Sequence, residues 1–232
     1  LTYAWRQALG NMYNQLVLGA EYRKHELTSR QYSVSGTTRQ TTLKDTLRED
    51  TSFAAFAVNE LSVTDALTVT LGARYDSYEG DQTGRVDSTN SFSQTDDGIS
   101  PKIGATYTFN EGLNIFAGFN SGFKSPARVA GLQYTPGLDP EKVHSYEAGC
   151  RGEPLPWLSY SVTGFINQYK DKLLRTGFTP SDPYVNAGDT ETNGLELSLG
   201  TDFKSGLFAD LSYTYQEAEF EDYVDSGVRL DG

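Results

Sequence analysis

The chain has 232 residues, a formal net charge of −12 and a mean hydropathy of −0.50. An acidic surface repels phosphate, which excludes nucleic acid as a partner. No apolar run approaches the ~20 residues of a spanning helix, and the single cysteine permits no internal disulfide. The chain opens on Leu1 and closes on the loop-like Arg229-Leu230-Asp231-Gly232, so the natural polypeptide is expected to be longer, with its targeting signals elsewhere.

In chain order, the clear signal is alternation of apolar with polar or small residues. It runs through Leu16–Arg23, Leu67–Asp76, Ile103–Phe109 and Leu113–Asn120, then Tyr160–Ile166, Leu195–Gly200 and Leu207–Gln216. Period two means two-faced strands, here expected to run roughly 10 to 15 residues, and no window has helical spacing. Short turns are expected at Leu9–Met12, Val63–Ala66, Asn110–Gly112, Glu153–Pro156 and Asp202–Gly206. Long polar connections are expected at about Leu27–Arg48, Gly80–Asp97, Lys124–Lys142 and Asp171–Val185, with another from Glu221. Hairpins with short turns at one end and long loops at the other predict an all-β, antiparallel transmembrane barrel, its short turns periplasmic and its long loops extracellular.

On Leu207–Gln216 one face carries Leu207, Ala209, Leu211, Tyr213 and Tyr215, the other Phe208, Asp210, Ser212, Thr214 and Gln216. In a barrel the apolar face meets lipid and the polar face a hydrated or plugged interior. Tyr107 and Phe109 fall beside a short turn; Tyr22, Tyr75, Phe119, Tyr146 and Tyr215 fall beside long connections. Such placement predicts aromatic girdles at both membrane surfaces. Leu195, Leu197 and Leu199 are expected to face lipid, with Leu197 near mid-span, and Cys150 to be a small lipid-facing hydrophobe.

Nothing reads as catalysis. His25, His144 and Cys150 are isolated, no metal-ligand spacing is present, and no nucleophile–base ordering or phosphate-binding glycine loop occurs. No catalytic residue, metal site or cofactor is expected. The acidic clusters Asp96-Asp97 and Glu219 to Asp222 could bind divalent cations at the lipopolysaccharide level, but are expected to be simply solvated.

Several runs carry a more specific likeness. They are Leu71-Gly72-Ala73-Arg74-Tyr75-Asp76, Ser100-Pro101-Lys102-Ile103-Gly104 and Gly118 to Pro126 (GFNSGFKSP). Two more follow in order: Leu138 to Gly149 (LDPEKVHSYEAG), and Asn186-Ala187-Gly188 with Thr192-Asn193-Gly194-Leu195-Glu196. Together they resemble the barrel of TonB-dependent outer-membrane receptors. The resemblance implies active uptake of a scarce ligand, most often a ferric siderophore, through a barrel of about 22 strands in the Gram-negative outer membrane. Residues 1–232 would then be a partial barrel domain of about ten strands. The N-terminal plug, through which TonB acts, and the C-terminal strands would lie outside it. Partners would be outer-membrane lipid, the ligand and TonB.

Cationic and aromatic loop residues could engage an anionic aromatic siderophore: Arg128, Tyr134, Arg175 and Tyr184 are the candidates. Gly104, Gly118, Gly149 and Gly194, with Glu147, Arg151 and Glu196, are expected on the inner face. Two other readings remain open on the residues alone: a complete ten-stranded outer-membrane protease or adhesin, and a soluble β-rich binding module.

Overall fold

In the computed structural model the described residues are all except 11, 89–90, 127–136, 178–183, 204, 226–227 and 232; at 9, 222–225 and 228–231 only the backbone is described. The strands are β1 (Thr2–Leu9), β2 (Met12–Ser35), β3 (Thr38–Ser62), β4 (Leu67–Gly84), β5 (Phe92–Asn110), β6 (Leu113–Lys124), β7 (Glu141–Leu155) and β8 (Leu158–Lys170). The short β9 (Leu173–Arg175) and β10 (Tyr184–Asn186) follow, then β11 (Thr190–Phe203), β12 (Leu207–Phe220), β13 (Asp222–Asp225) and β14 (Val228–Asp231). Ten of them form one antiparallel sheet in the order β1-β2-β3-β4-β5-β6-β7-β8-β11-β12. β9 with β10, and β13 with β14, make two separate hairpins. β1 and β12 are the outer strands and are not neighbours, so these ten strands do not close on themselves, contrary to the complete small barrel.

The short turns fall where the alternation stops, but two of the expected long loops are strand. β2 and β3 run 24 and 25 residues and pair through Leu27–Arg48 to the tight turn at Gly36-Thr37. A positive φ of 62° at Gly36, the first central residue, is the arrangement of a II′ hairpin turn. β4 likewise continues to Gly84 and β5 begins at Phe92, leaving little of Gly80–Asp97 as loop. The physical reason is that the outer parts of these ribbons, residues 27–41 and 83–88, are largely exposed on both faces. Their backbone pairs as before, while no apolar face remains to show the alternation.

The sheet has almost no core. Among the described residues the buried hydrophobic side chains are Ala54, Leu173 and Ala187 alone. Leu18, Tyr22, Leu71, Ile99, Ile103, Leu199 and Leu211 are all exposed. A soluble sandwich would hide that face against a second sheet, and among the described residues none covers it, contrary to the soluble module. The polar face carries the buried charges instead: Arg48, Asp76 and Asp96.

Register shows how the apolar band crosses the sheet. One row of cross-strand partners runs Leu16, Asn59, Leu71, Ile103, Phe119, Tyr146, Ile166, Asn193, Glu217 from β2 to β12. Toward the long-loop end, the first outward polar residue above the band is Lys24 on β2, eight residues beyond this row. It is Asp97 on β5, six beyond, and His144 on β7, two beyond. On β11 and β12 it is Asn193 and Glu217, in the row itself. The edge of the band therefore drops eight residues over the eight steps from β2 to β12, one residue per strand. At ~3.3 Å per residue and ~4.8 Å between strands, such a band is level only if the strands tilt by roughly 35°. That is the tilt of a transmembrane barrel. It also moves mid-span on β11 from the expected Leu197 to Leu199. Asn59 interrupts the band on β3, and nothing in the structure explains it.

Aromatic side chains line both edges. Tyr22 pairs with Phe53 across β2 and β3, and the rings of Phe119 and Tyr146 lie 5.0 Å apart at the upper edge. At the short-turn edge Tyr107 meets Phe109 at 4.6 Å and Trp157 stacks on Phe203 at 5.1 Å. Cys150 sits between Ile115 and Val162 on the apolar face.

Candidate functional site: the inner wall and the feet of the long connections

The polar face is built from residues two apart, because alternate side chains share a face. Arg48 donates from Nε to both carboxylate oxygens of Asp50, at 2.8 and 3.0 Å. On the next strand Arg74 Nε repeats the pattern with Asp76, at 2.9 and 2.8 Å. Tyr78 donates its hydroxyl to Asp76 at 3.1 Å, and Glu21 lies 3.7 Å from Arg74 across β3. Asp76 is only 5% exposed, and these donors are what make a buried carboxylate tolerable.

Aromatic rings share this face by lying over glycine. Gly19 pairs with Phe56, Gly149 with Phe116 and Gly194 with Phe165. A Cβ at Gly19 would fall 2.2 Å from the Phe56 ring, and one at Gly194 would fall 2.6 Å from the Phe165 ring. Gly98 gives the same room to Phe123, which also meets Tyr78 at 5.7 Å. The Phe116 and Phe56 rings carry Arg151 and Arg74 at 5.3 and 5.9 Å. The expected inner glycines are thus in phase with Glu147, Arg151 and Glu196. Gly149 and Gly194 are seats for rings, whereas Gly118 lies against Glu147.

At the long-loop end a chain of hydrogen bonds joins the feet of three connections. Ser125, fully buried just after β6, donates to Asp96 at 2.5 Å. Gln94 Nε2 donates to Asp96 at 2.9 Å and to the Leu138 carbonyl at 3.4 Å. Asn186, at the root of the β9–β10 hairpin, accepts from the Asp139 N–H at 2.9 Å. Its Nδ2 donates to the carbonyls of Asp139 at 2.9 Å and Asp171 at 2.8 Å. Glu141 accepts from the Leu173 N–H at 3.2 Å and lies 3.8 Å from Lys124 Nζ. Asp96 is therefore a buried member of a network, not the solvated acid expected from Asp96-Asp97.

Of the four candidate ligand residues, Arg175 and Tyr184 are cross-strand partners on β9 and β10. The guanidinium lies 5.2 Å from the ring centroid and donates to the Tyr184 hydroxyl at 3.2 Å. Lys172, on the same connection, stands over Tyr169 of β8 at 5.2 Å. Arg128 and Tyr134 lie outside the described residues. The sequence reading missed Arg48, Arg74 and the Asn186 tie. Arg48-x-Asp50 and Arg74-x-Asp76 are visible in the sequence as opposite charges at strand spacing.

A sheet with its apolar face outward, a level band only under a barrel tilt, and ion pairs on the other face is a wall segment of a transmembrane β-barrel. The family described as "TonB dependent receptor-like, beta-barrel" matches residues 1–232, and the chain belongs to it. The ferrioxamine B receptor of Salmonella typhimurium (strain SL1344) is 24% identical over 152 residues, covering 66% of this chain and 21% of that protein. The ferric-pyoverdine BN7/BN8 receptor of Pseudomonas putida is 25% identical over 175 residues, covering 74% and 21%. Among solved structures, the closed form of the ferric-catecholate import receptor Fiu from E. coli K12 superposes with a TM-score of 0.79. It is 15% identical, covering 97% of this chain and 38% of that one. The chain thus spans about a fifth of the length of these two curated relatives.

Proposed function

We propose that this chain is part of the barrel wall of an outer-membrane receptor that takes up a ferric siderophore by TonB-dependent transport. The observation that carries the reading is the lipid-facing band that drops one residue per strand opposite a charged inner face. Such a wall suits a barrel that spans the membrane and encloses a polar, fillable lumen. The family and the named cargo of its relatives supply the rest. In this reading the plug, its contact with TonB and the remaining strands come from sequence outside these 232 residues. Arg175 and Tyr184 present a cation and a phenol to the cargo, and the protein works as a transporter without enzymatic chemistry.

The test is uptake of radiolabelled iron by a receptor-deficient Gram-negative strain carrying the full-length protein, with ferric hydroxamate, catecholate and pyoverdine-type chelates as probes. Uptake of one of them, abolished by deletion of TonB, is the expected result. Uptake of none, or uptake that survives TonB deletion, overturns the proposal.

A further inference from the structure

The β9–β10 hairpin carries Arg175 and Tyr184, yet it is not part of the ten-stranded ladder. Something else must hold it to the wall. Its own root is closed by backbone bonds from Lys172 N–H to the Gly188 carbonyl at 3.0 Å and from Ala187 N–H to the Lys172 carbonyl at 2.8 Å. Those bonds keep the hairpin together without fixing where it sits. Two side chains bridge it to the start of β7, Asn186 reaching out from the hairpin and Glu141 reaching in from β7. Asn186 takes both the N–H and the carbonyl of Asp139, and Glu141 takes the N–H of Leu173. Asn186 also holds the Asp171 carbonyl, at the point where the chain leaves β8 with a left-handed φ of 55°. A non-glycine residue in that conformation persists only where its surroundings fix it. The buried Leu173 and Ala187 close the same spot.

We infer that Asn186 is a positioning residue: it makes the β9–β10 hairpin and the residue 137–141 foot of the preceding connection one mechanical body. Its amide is the side chain for the task, since one group both donates twice and accepts once. Displacing the hairpin then pulls on Asp139, on Leu138 and, through Gln94, on Asp96 of the inner wall. Given the proposed function, cargo touching Arg175 or Tyr184 is felt at the mouth of the barrel wall. The coupling itself is a property of the cargo-free protein.

The test is hydrogen exchange on the full-length receptor in lipid nanodiscs without cargo. Under conditions where opening limits exchange, amides in 137–142 and 171–176 of the unmodified protein should open with one shared rate. Asn186→Ala should raise exchange about tenfold in both segments and leave 146–150, in the β7–β8 ladder, unchanged. Gln168→Ala removes a side chain of similar size that bridges to Glu191 at 3.0 Å, and it should leave 137–142 unaffected. Two different opening rates in the unmodified protein, or a rise in Asn186→Ala confined to 171–176, overturns the inference. Neither measurement uses cargo or TonB. Coupled exchange without iron uptake would remove the functional reading alone; uptake with uncoupled exchange would remove the tie alone.

Discussion

Leu199 is where an added charge should hurt most on β11, and the reason is the tilt. The outward band on this strand runs from Leu195, just below Asn193, to Phe203, stacked on Trp157. Leu199 is four residues from either end, ~13 Å along the strand, or ~11 Å in depth at a tilt of roughly 35°. Arg at the bilayer midplane of a barrel costs about 2–4 kcal/mol, falling to about 0–1 near the interfaces. Leu199→Arg should therefore cost about 2–4 kcal/mol, Leu197→Arg less, and Leu195→Arg about 0–1. Ser198→Arg points to the inner face between Ser161 and Ser212 and should cost less than Leu199→Arg.

An untilted sheet predicts another order. On β4 the band from Leu67 to Tyr75 is centred on Leu71, and the row through Leu71 reaches β11 at Asn193. Leu195, not Leu199, would then lie near mid-membrane. The assay is equilibrium unfolding of the full-length receptor in lipid vesicles, comparing the four substitutions with the unmodified protein. A larger loss for Leu195→Arg than for Leu199→Arg, or equal losses at Leu199 and Ser198, refutes the reasoning.

Four further outcomes follow from the same geometry. Gly194→Ala would drive a Cβ to 2.5 Å from the Tyr215 carbonyl oxygen and 2.6 Å from the Phe165 ring, so it should cost about 1–3 kcal/mol in thermal or denaturant melts. Gly104→Ala meets only the Ala117 carbonyl oxygen at 3.6 Å and should be close to neutral in the same melts. Tyr160 donates its hydroxyl to the Gly112 carbonyl at 3.0 Å across the short turn, so Tyr160→Phe should lose about 0.5–1.5 kcal/mol, read by the same titration. Residues 1–232 expressed alone should refold into detergent as associated, protease-sensitive material, because β1 and β12 present unpaired edges; a protease-resistant monomer with a sharp melt would contradict this.

Alternation made the membrane strands readable. Leu67–Asp76 and Leu195–Gly200 each have one face in lipid and one in water, and the contrast is written residue by residue. The same rule hid the ribbon from Leu27 to Arg48. There Thr28, Ser29, Arg30 and Gln31 are exposed whichever way they point, so a paired backbone left no mark on the sequence. Asp96 was misjudged for a related reason. Adjacent residues in a strand face opposite ways, so Asp96 and Asp97 never form a cluster, and Asp96 turns inward to Ser125. The pairing of Arg175 with Tyr184 and of Asn186 with Asp139 depends on how two connections fold back. Period two carries no information about that.

The runs that carried the family likeness have a physical meaning in the fold. A lipid-facing residue has only to be apolar, so many sequences serve at Leu71 or Ile103. Asn186 and Asp139 answer a narrower demand. One side chain must match an N–H and two carbonyls from two separate connections, and a shorter or charged substitute loses at least one of them. Ser125 and Asp96 meet a similar demand in a buried position, where losing the serine hydroxyl would take one of its donors from the carboxylate. Gly118 to Pro126, Leu138 to Gly149 and Asn186-Ala187-Gly188 reach the feet of the connections, where hydrogen-bond geometry restricts the choice, whereas Leu71 to Asp76 and Ser100 to Gly104 lie within β4 and β5.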